Sequence, residues 1–257
     1  MSLLMEYSLP LIITISMLFF VVAILYSSVG HGGASGYLAV FSFFAIAPKE
    51  MSSTALLLNI VVASIAFIAF YRAGHFSLKL AFPFLITSIP LALLGGMLQI
   101  STSLYSFLLG FVLVGAAVWL ASHLTIFDVK NKIQPPKFLI ALFIGGGVGF
   151  LSGIVGVGGG IFLSPLFILM KWSDVKTTSA VSASFIVLNS IAGILGRYIS
   201  DNLVIGEYLP LVLAASVGGY IGSRLGAIKF SDLLLRRLLA VVLVIAALKL
   251  FIISYAA

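Results

Sequence analysis

An all-α polytopic membrane protein made of two inverted-topology repeats is the fold class this sequence predicts. Three observations predict it: an apolar excess, a duplicated glycine cluster and an uneven distribution of basic residues. Of 257 residues, 62% are hydrophobic and only 8% charged, and the mean hydropathy is +1.28. Soluble domains carry about 25% charged residues, so a water-soluble globule and a disordered chain are excluded. The absence of cysteine excludes a disulfide scaffold and a thiolate metal site. Fourteen Lys and Arg against seven Asp and Glu give a formal charge of +7. No basic patch with interleaved aromatics accompanies it, so no nucleic-acid partner is expected and the lipid bilayer is the expected surrounding.

The elements follow in order. Met1-Ser2-Leu3-Leu4-Met5-Glu6 has no Lys or Arg ahead of the first apolar run. A secretory signal needs a positive lead, so residues 9–28 are expected to be mature structure. A glycine-rich break comes next, then apolar runs at 37–47, 52–71, 80–98 and 104–122. The second half has 138–151, a break, then 161–170, 178–199, 208–227 and 233–255. A spanning helix needs about 20 residues. Runs 37–47 and 161–170 are half that length, so they are read as the returning arms of membrane hairpins broken at glycine. Each half is then one such hairpin plus three spanning helices. The chain divides into an N-terminal membrane repeat (1–127), a polar linker (128–136, Asp-Val-Lys-Asn-Lys-Ile-Gln-Pro-Pro) and a C-terminal membrane repeat (137–257).

The duplication rests on specific matches. Val29-Gly30-His31-Gly32-Gly33-Ala34 aligns with Val155-Gly156-Val157-Gly158-Gly159-Gly160 at a shift of 126, and Tyr71-Arg72 lies opposite Arg197-Tyr198 at the same shift. Val112-Leu113-Val114-Gly115-Ala116-Ala117 aligns with Val242-Leu243-Val244-Ile245-Ala246-Ala247 at a shift of 130. Charge decides how the halves are oriented. With hairpins, one face receives Arg72, Lys79, Lys130, Lys132, Lys137, Lys171, Lys176, Arg224, Lys229, Arg236 and Arg237, and the other only Lys49 and Arg197, eleven against two. If each broken segment crossed straight through, the split would be six against seven. The positive-inside rule therefore favours inverted repeats with both termini outside the cytoplasm.

Broken helices in corresponding positions of two inverted halves are the best sequence pointer to a transporter site. Successive glycines let the backbone approach a solute closely, and a helix that starts there offers free N–H groups and a positive dipole end. Both features favour an anion. Gly30, Gly32, Gly33, Gly156, Gly158, Gly159 and Gly160 are the expected frame of that site. The competing reading is close helix packing by small residues, to which Gly145-Gly146-Gly147, Gly95-Gly96 and Gly218-Gly219 are assigned. Glu6, Glu50, Asp128, Asp174, Asp201, Glu207 and Asp232 all fall at segment ends or in loops. No carboxylate is left at mid-membrane to hold a metal cation or relay protons, and no cofactor motif is present.

The polar candidates for the path are Ser27, Ser28, Ser53, Thr54 and Asn59 in the first half, and Ser152, Ser179, Ser182, Ser184, Asn189 and Ser190 in the second. Serines in membrane helices often bond only the preceding turn. Asn59 and Asn189 are stronger candidates, because an amide in apolar surroundings needs partners; Ser182 is carried with them. His31 lies inside the first break. Two readings stay open for it: donor or proton partner to an oxyanion, or a neutral imidazole capping loop carbonyls. Arg72 and Arg197 are expected to snorkel to opposite faces, with gating as a second role. Trp119 and Trp172 fit interface anchors, and His75 and His123 fit interfacial positions.

Val-Gly-His-Gly-Gly-Ala-Ser-Gly (29–36) and Ser-Gly-Ile-Val-Gly-Val-Gly-Gly-Gly (152–160), each followed by a short arm and a Ser/Thr-rich helix, resemble the TauE/SafE sulfite-exporter family. The resemblance covers essentially the whole chain. It implies a transporter of the cytoplasmic (inner) membrane that exports sulfite, an organosulfonate or a related small inorganic or organic anion. His31 and Ala34 stand in the first copy where Val157 and Gly160 stand in the second, so the half-sites are expected to differ. Export needs no carboxylate-based coupling, since an anion leaving a negative interior gains about 2.3 kcal/mol per charge per 100 mV. A passive anion channel and an anion importer are the alternatives, and assembly into a homo-oligomer stays open. Gly33-Ala34-Ser35-Gly36 also matches the G-x-S-G element of rhomboid intramembrane proteases. A serine nucleophile needs a histidine base, and Ile161 stands opposite Ser35 in the second copy, so this enzyme reading is remote and no catalytic residue is assigned.

Overall fold

The computed structural model describes residues 9–44, 48–122, 133–204 and 209–228, with Val244, Ala247, Leu248 and Phe251 beyond them. Residues 1–8, 45–47 and 123–132, the last covering His123 and most of the linker, and nearly all of the expected run 233–255 lie outside the described residues, as does the Trp119 side chain. Among the described residues every regular element is helical: α1 Leu9–Ser27, α2 Ala34–Phe43, α3 Pro48–Arg72, α4 Leu78–Met97, α5 Thr102–Ser122, α6 Phe138–Val155, α7 Gly160–Leu169, α8 Val175–Ile199 and α9 Leu209–Ile228. Five described stretches are long and apolar enough to cross a membrane: Leu9–Ser27, Glu50–Arg72, Leu78–Met97, Phe138–Val155 and Val175–Ile199. α2 and α7 have 10 residues each, about 15 Å of helix, and cannot cross alone.

α2 doubles back along α1. Ser35 Oγ donates to Tyr26 Oη at 2.9 Å, and the rings of Tyr37 and Phe41 stand 4.7 and 5.0 Å from Phe19. As the numbers rise along α2, their partners on α1 fall. α7 turns back in the same sense, since Gly159 meets Val148 of α6.

Two glycine ladders join the halves. On α6, Gly145, Gly149 and Gly153 lie against the backbone of Phe84, Ser88 and Ala92 on α4. On α9, Gly218, Gly222 and Gly226 lie against Phe20, Ile24 and Ser28 of α1 and its end. Spacing by four puts each set on one helix face. The missing side chains let backbones touch, which in lipid supplies the packing that water expulsion supplies elsewhere. Numbers rise together in both ladders, so each pair runs parallel. Gly95, Gly96 and Gly219 also pack closely, as expected, whereas Gly147 meets nothing within 4 Å.

α3 and α8 cross in the centre in opposite directions. Leu56 of α3 sits beside Gly193 of α8. Further along, Asn59 and Ser190 meet at Gly158. The large apolar side chains left outside, such as Phe111, Phe143 and Met17, are exposed, as suits a lipid-facing surface.

One anchor expected at the interface is internal. Trp172 is 6% exposed and its ring lies 5.6 Å from Phe167 and 5.9 Å from Phe84, because the turn after α7 folds the indole back against α4. α8 begins with a side-chain cap: Asp174 accepts from the amides of Lys176 and Thr177, each at 3.0 Å, and from Thr177 Oγ1 at 2.6 Å. Partial burial opposes the charged form of Asp174, but the hydrogen bonds from Thr177 and Lys176 outweigh it and hold the carboxyl below its ordinary range.

Candidate substrate site between the glycine breaks

Both breaks turn on glycine. Gly30 and Gly156 have φ of 76° and 84°, and Gly33 and Gly159, directly ahead of α2 and α7, have φ of 96° and 81°. Side chains resist that left-handed conformation, so glycine is what lets each chain reverse and start a second helix within a few residues.

The breaks reach into opposite halves. Gly30 lies against Ser179 at the start of α8, while Gly156 lies against Ser52 at the start of α3. Asn59, in the middle of α3, joins the two. Its Oδ1 accepts from the first amide of α2, Ala34 N–H, at 3.2 Å. Its Nδ2 donates to the carbonyl of Val157 in the second break at 3.0 Å. Gly32 and Gly158 both rest on this amide: a β-carbon on Gly158 would stand 2.5 Å from Asn59 Nδ2, 2.9 Å from Ile186 and 3.0 Å from Ser190 Oγ.

His31 adds a second bridge. Its Nδ1 is 3.0 Å from the carbonyl of Val29 and its Nε2 3.2 Å from the carbonyl of Gly160. The ring thus contacts loop carbonyls of both breaks. A neutral imidazole has one N–H and donates to one carbonyl, whereas an imidazolium donates to both.

The remaining candidates divide. Asn189 spends its Nδ2 on Phe185 of its own helix at 2.7 Å, and its buried Oδ1 has no partner. Ser182 pairs with Ser164 at 2.7 Å, tying α7 to α8. Ser53, Thr54, Ser152 and Ser190 are buried with no hydrogen-bond partner for their hydroxyls. Such orphans are costly in an apolar interior, and their gathering on α3, α8 and the end of α6 marks the polar zone of the core. Among the described residues no acceptor faces the amides of Gly158, Gly159, Gly160 and Ile161, four donors at the start of α7.

The site is closed in this conformation. Residues 30–42 and 152–161 are buried throughout, and Phe185 and Ile186 of α8 fill the space beside Gly159 and Gly160.

Only one of the two arginines, Arg197, departs from the snorkelling expectation. Arg72 is exposed at the end of α3. Arg197 is 5% exposed and its Nη2 donates to the carbonyls of Gly153 and Ile154 at 2.8 and 3.0 Å. It does not snorkel because the last turn of α6 leaves carbonyls without intrahelical donors, and the guanidinium satisfies them inside the bundle. Tyr105 of α5 stands beside it and donates to the next carbonyl, Val155, at 3.2 Å. Sequence reading missed Tyr105, which is one aromatic within an apolar run, and Ile186. No group of three or more His, Asp or Glu able to hold a metal occurs among the described residues. Ser35, the serine of the protease-like tetrad, is bound to Tyr26.

Membrane-length helices, half-helices broken at glycine and a polar zone where the breaks meet define a membrane transport protein rather than an enzyme. More particularly, the chain belongs to the sulfite exporter TauE/SafE family, whose model matches residues 15–250. It is 35% identical over 245 residues to "Probable membrane transporter protein y4hK" of Sinorhizobium fredii, covering 93% of this chain and 97% of that one. It is 28% identical over 238 residues to "Probable membrane transporter protein MJ0441" of Methanocaldococcus jannaschii, covering 85% of each. No solved structure matches it.

Proposed function

We propose that this protein is a secondary transporter that exports a small anion, sulfite or an organosulfonate, across the cytoplasmic membrane. The single observation that carries the reading is the Asn59 bridge. One uncharged side chain holds the start of α2 and the second break together, beside four amides that meet no acceptor among the described residues. Amide donors converging without a carboxylate suit an oxyanion, which accepts hydrogen bonds and is repelled by acidic groups. Gly30, Gly32, Gly33, Gly156, Gly158, Gly159 and Gly160 frame the site, with Asn59, Asn189, Ser182 and His31 as its side chains. The closed breaks correspond to an occluded state, and loading requires a hairpin to separate from α3 and α8. Arg197, fixed to the end of α6, is the gating residue of the second hairpin.

The same reading takes residues 1–127 and 137–257 as inverted repeats joined by the linker, with both termini outside the cytoplasm. The opposed run of α3 and α8, the return of α2 along α1 and the charge bias support it. Cysteines placed at Ile133 and Val204 of this Cys-free chain test it: inverted hairpins label from opposite membrane faces, and labelling from one face removes the model.

The deciding experiment is flux in proteoliposomes, comparing sulfite, sulfate, thiosulfate, sulfoacetate and chloride with and without a pH gradient. Saturable, voltage-sensitive movement of sulfite or a sulfonate is the expected result. Non-saturating flux of all five points to a channel, and no flux of any removes the anion reading. His31→Ala shifts the pH profile if the imidazole takes part through its proton; an unchanged profile leaves it as a loop tie.

A further inference from the structure

Away from the breaks, α3 and α9 enclose a cavity of about 480 Å³ that opens on the outside of the bundle. One wall is Ile65, Ile68 and Ala69 of α3, and the polar end is Arg72, Tyr220 and Arg224. Arg224 holds its guanidinium 4.5 Å from the centre of the Tyr220 ring, a cation–π contact that fixes its direction. Arg72 and Arg224 are both exposed, and no carboxylate among the described residues lines the cavity. Arg72 is the last residue of α3, and Arg224 lies one turn from the end of α9. The two cations therefore sit at one membrane edge, with the apolar wall leading away toward the middle of the bilayer.

The geometry points to a binding site for one anionic phospholipid in this groove. Two guanidiniums lining one open pocket match a headgroup whose phosphodiester charge is not offset by a choline cation, and each can donate a pair of hydrogen bonds to that phosphate. Ile65, Ile68 and Ala69 match the acyl chain that a free phosphate lacks. The charge bias places both arginines on the cytoplasmic face, where anionic lipid meets basic pockets between helices. Tyr198 and Ile199, which stand opposite Arg72 at shifts of 126 and 127, are both uncharged, so α8 has no counterpart of Arg72 at either register. The inference does not depend on the transported solute, because binding is measured without a gradient.

Native mass spectrometry of the detergent-purified full chain tests it, with phosphatidylglycerol and phosphatidylcholine of identical acyl chains supplied in equal amounts. A preference for phosphatidylglycerol of roughly thirtyfold is expected, about fivefold for each arginine near an anionic headgroup. Each single variant, Arg72→Gln or Arg224→Gln, lowers the preference about fivefold, and the double variant brings it near one. Both side chains are exposed, so intact elution of the variants is expected; Arg72→Lys/Arg224→Lys, which keeps the charge, retains part of the preference. Sodium phosphate at millimolar concentration does not displace the lipid. Equal retention of the two lipids, an undiminished preference in the double variant, or displacement by free phosphate each overturns the proposal.

Discussion

The C-terminal ends of α3 and α8 carry the same two residue types in opposite order, Tyr71-Arg72 and Arg197-Tyr198, and the order separates their fates. Successive residues on a helix point about 100° apart. In α8 the arginine comes first, turns into the bundle and donates to the carbonyls of Gly153 and Ile154. In α3 it comes second and opens onto the groove beside Arg224. The breaks differ likewise. The first is held by two polar side chains, Asn59 on Ala34 and His31 across to Gly160, and the second also meets the buried Arg197 and Tyr105 at the end of α6. Two glycine breaks of matching sequence pattern thus carry different restraints: Asn59 and His31 tie them to each other, and Arg197 with Tyr105 adds contacts only at the second.

The largest expected effect breaks what the halves share. Gly158→Leu and Gly32→Leu both drive a side chain into Asn59, so each should reduce anion flux to the protein-free background while membrane insertion persists. Normal flux in both would leave the Asn59 bridge without a transport role. Next comes the contrast between the arginines. Arg197→Gln loses charge-assisted bonds to two carbonyls and should lower stability by about 2–3 kcal/mol, whereas exposed Arg72→Gln should stay within about 0.5 kcal/mol. Equal losses in a denaturation series of the two variants would abolish the distinction. The smallest effect concerns the start of α8. Asp174→Ala should cost about 1 kcal/mol of capping at neutral pH. The Asp174 carboxyl is held below its ordinary range in the folded protein, so its contribution is full above about pH 4 and fades as pH falls through the lowered value. The gap between wild type and variant should therefore narrow in acid; a gap that widens there would contradict the assignment.

Much of this was legible beforehand. Among the described residues, the apolar runs and both turn points follow from local composition, and the short arms were recognisable because 10 residues cannot cross a bilayer. The ladder glycines Gly145 and Gly218 were legible as packing residues; Gly149, Gly222 and Gly226 share the spacing but stand out only against the partner helix. Asn59 was legible as an amide in apolar surroundings, but not as a bridge. Its similarity to Asn189 misled: Gly30 meets Ser179 and Gly156 meets Ser52, a register of 127 that sets Ile186, not Asn189, opposite Asn59. The burial of Arg197 and Trp172 was illegible, because charge and aromaticity alone fit a membrane interface equally well.

By itself the sequence determined which stretches enter the membrane, where they break and that no acidic group waits in their middle, since hydropathy, glycine and charge act over a few neighbouring residues. Only the tertiary structure decided which polar atoms are paired. Asn59 finds Val157 at a separation of 98 residues and His31 finds Gly160 at 129. Partners so distant are chosen by how the helices pack, which the composition of a few neighbouring residues does not encode.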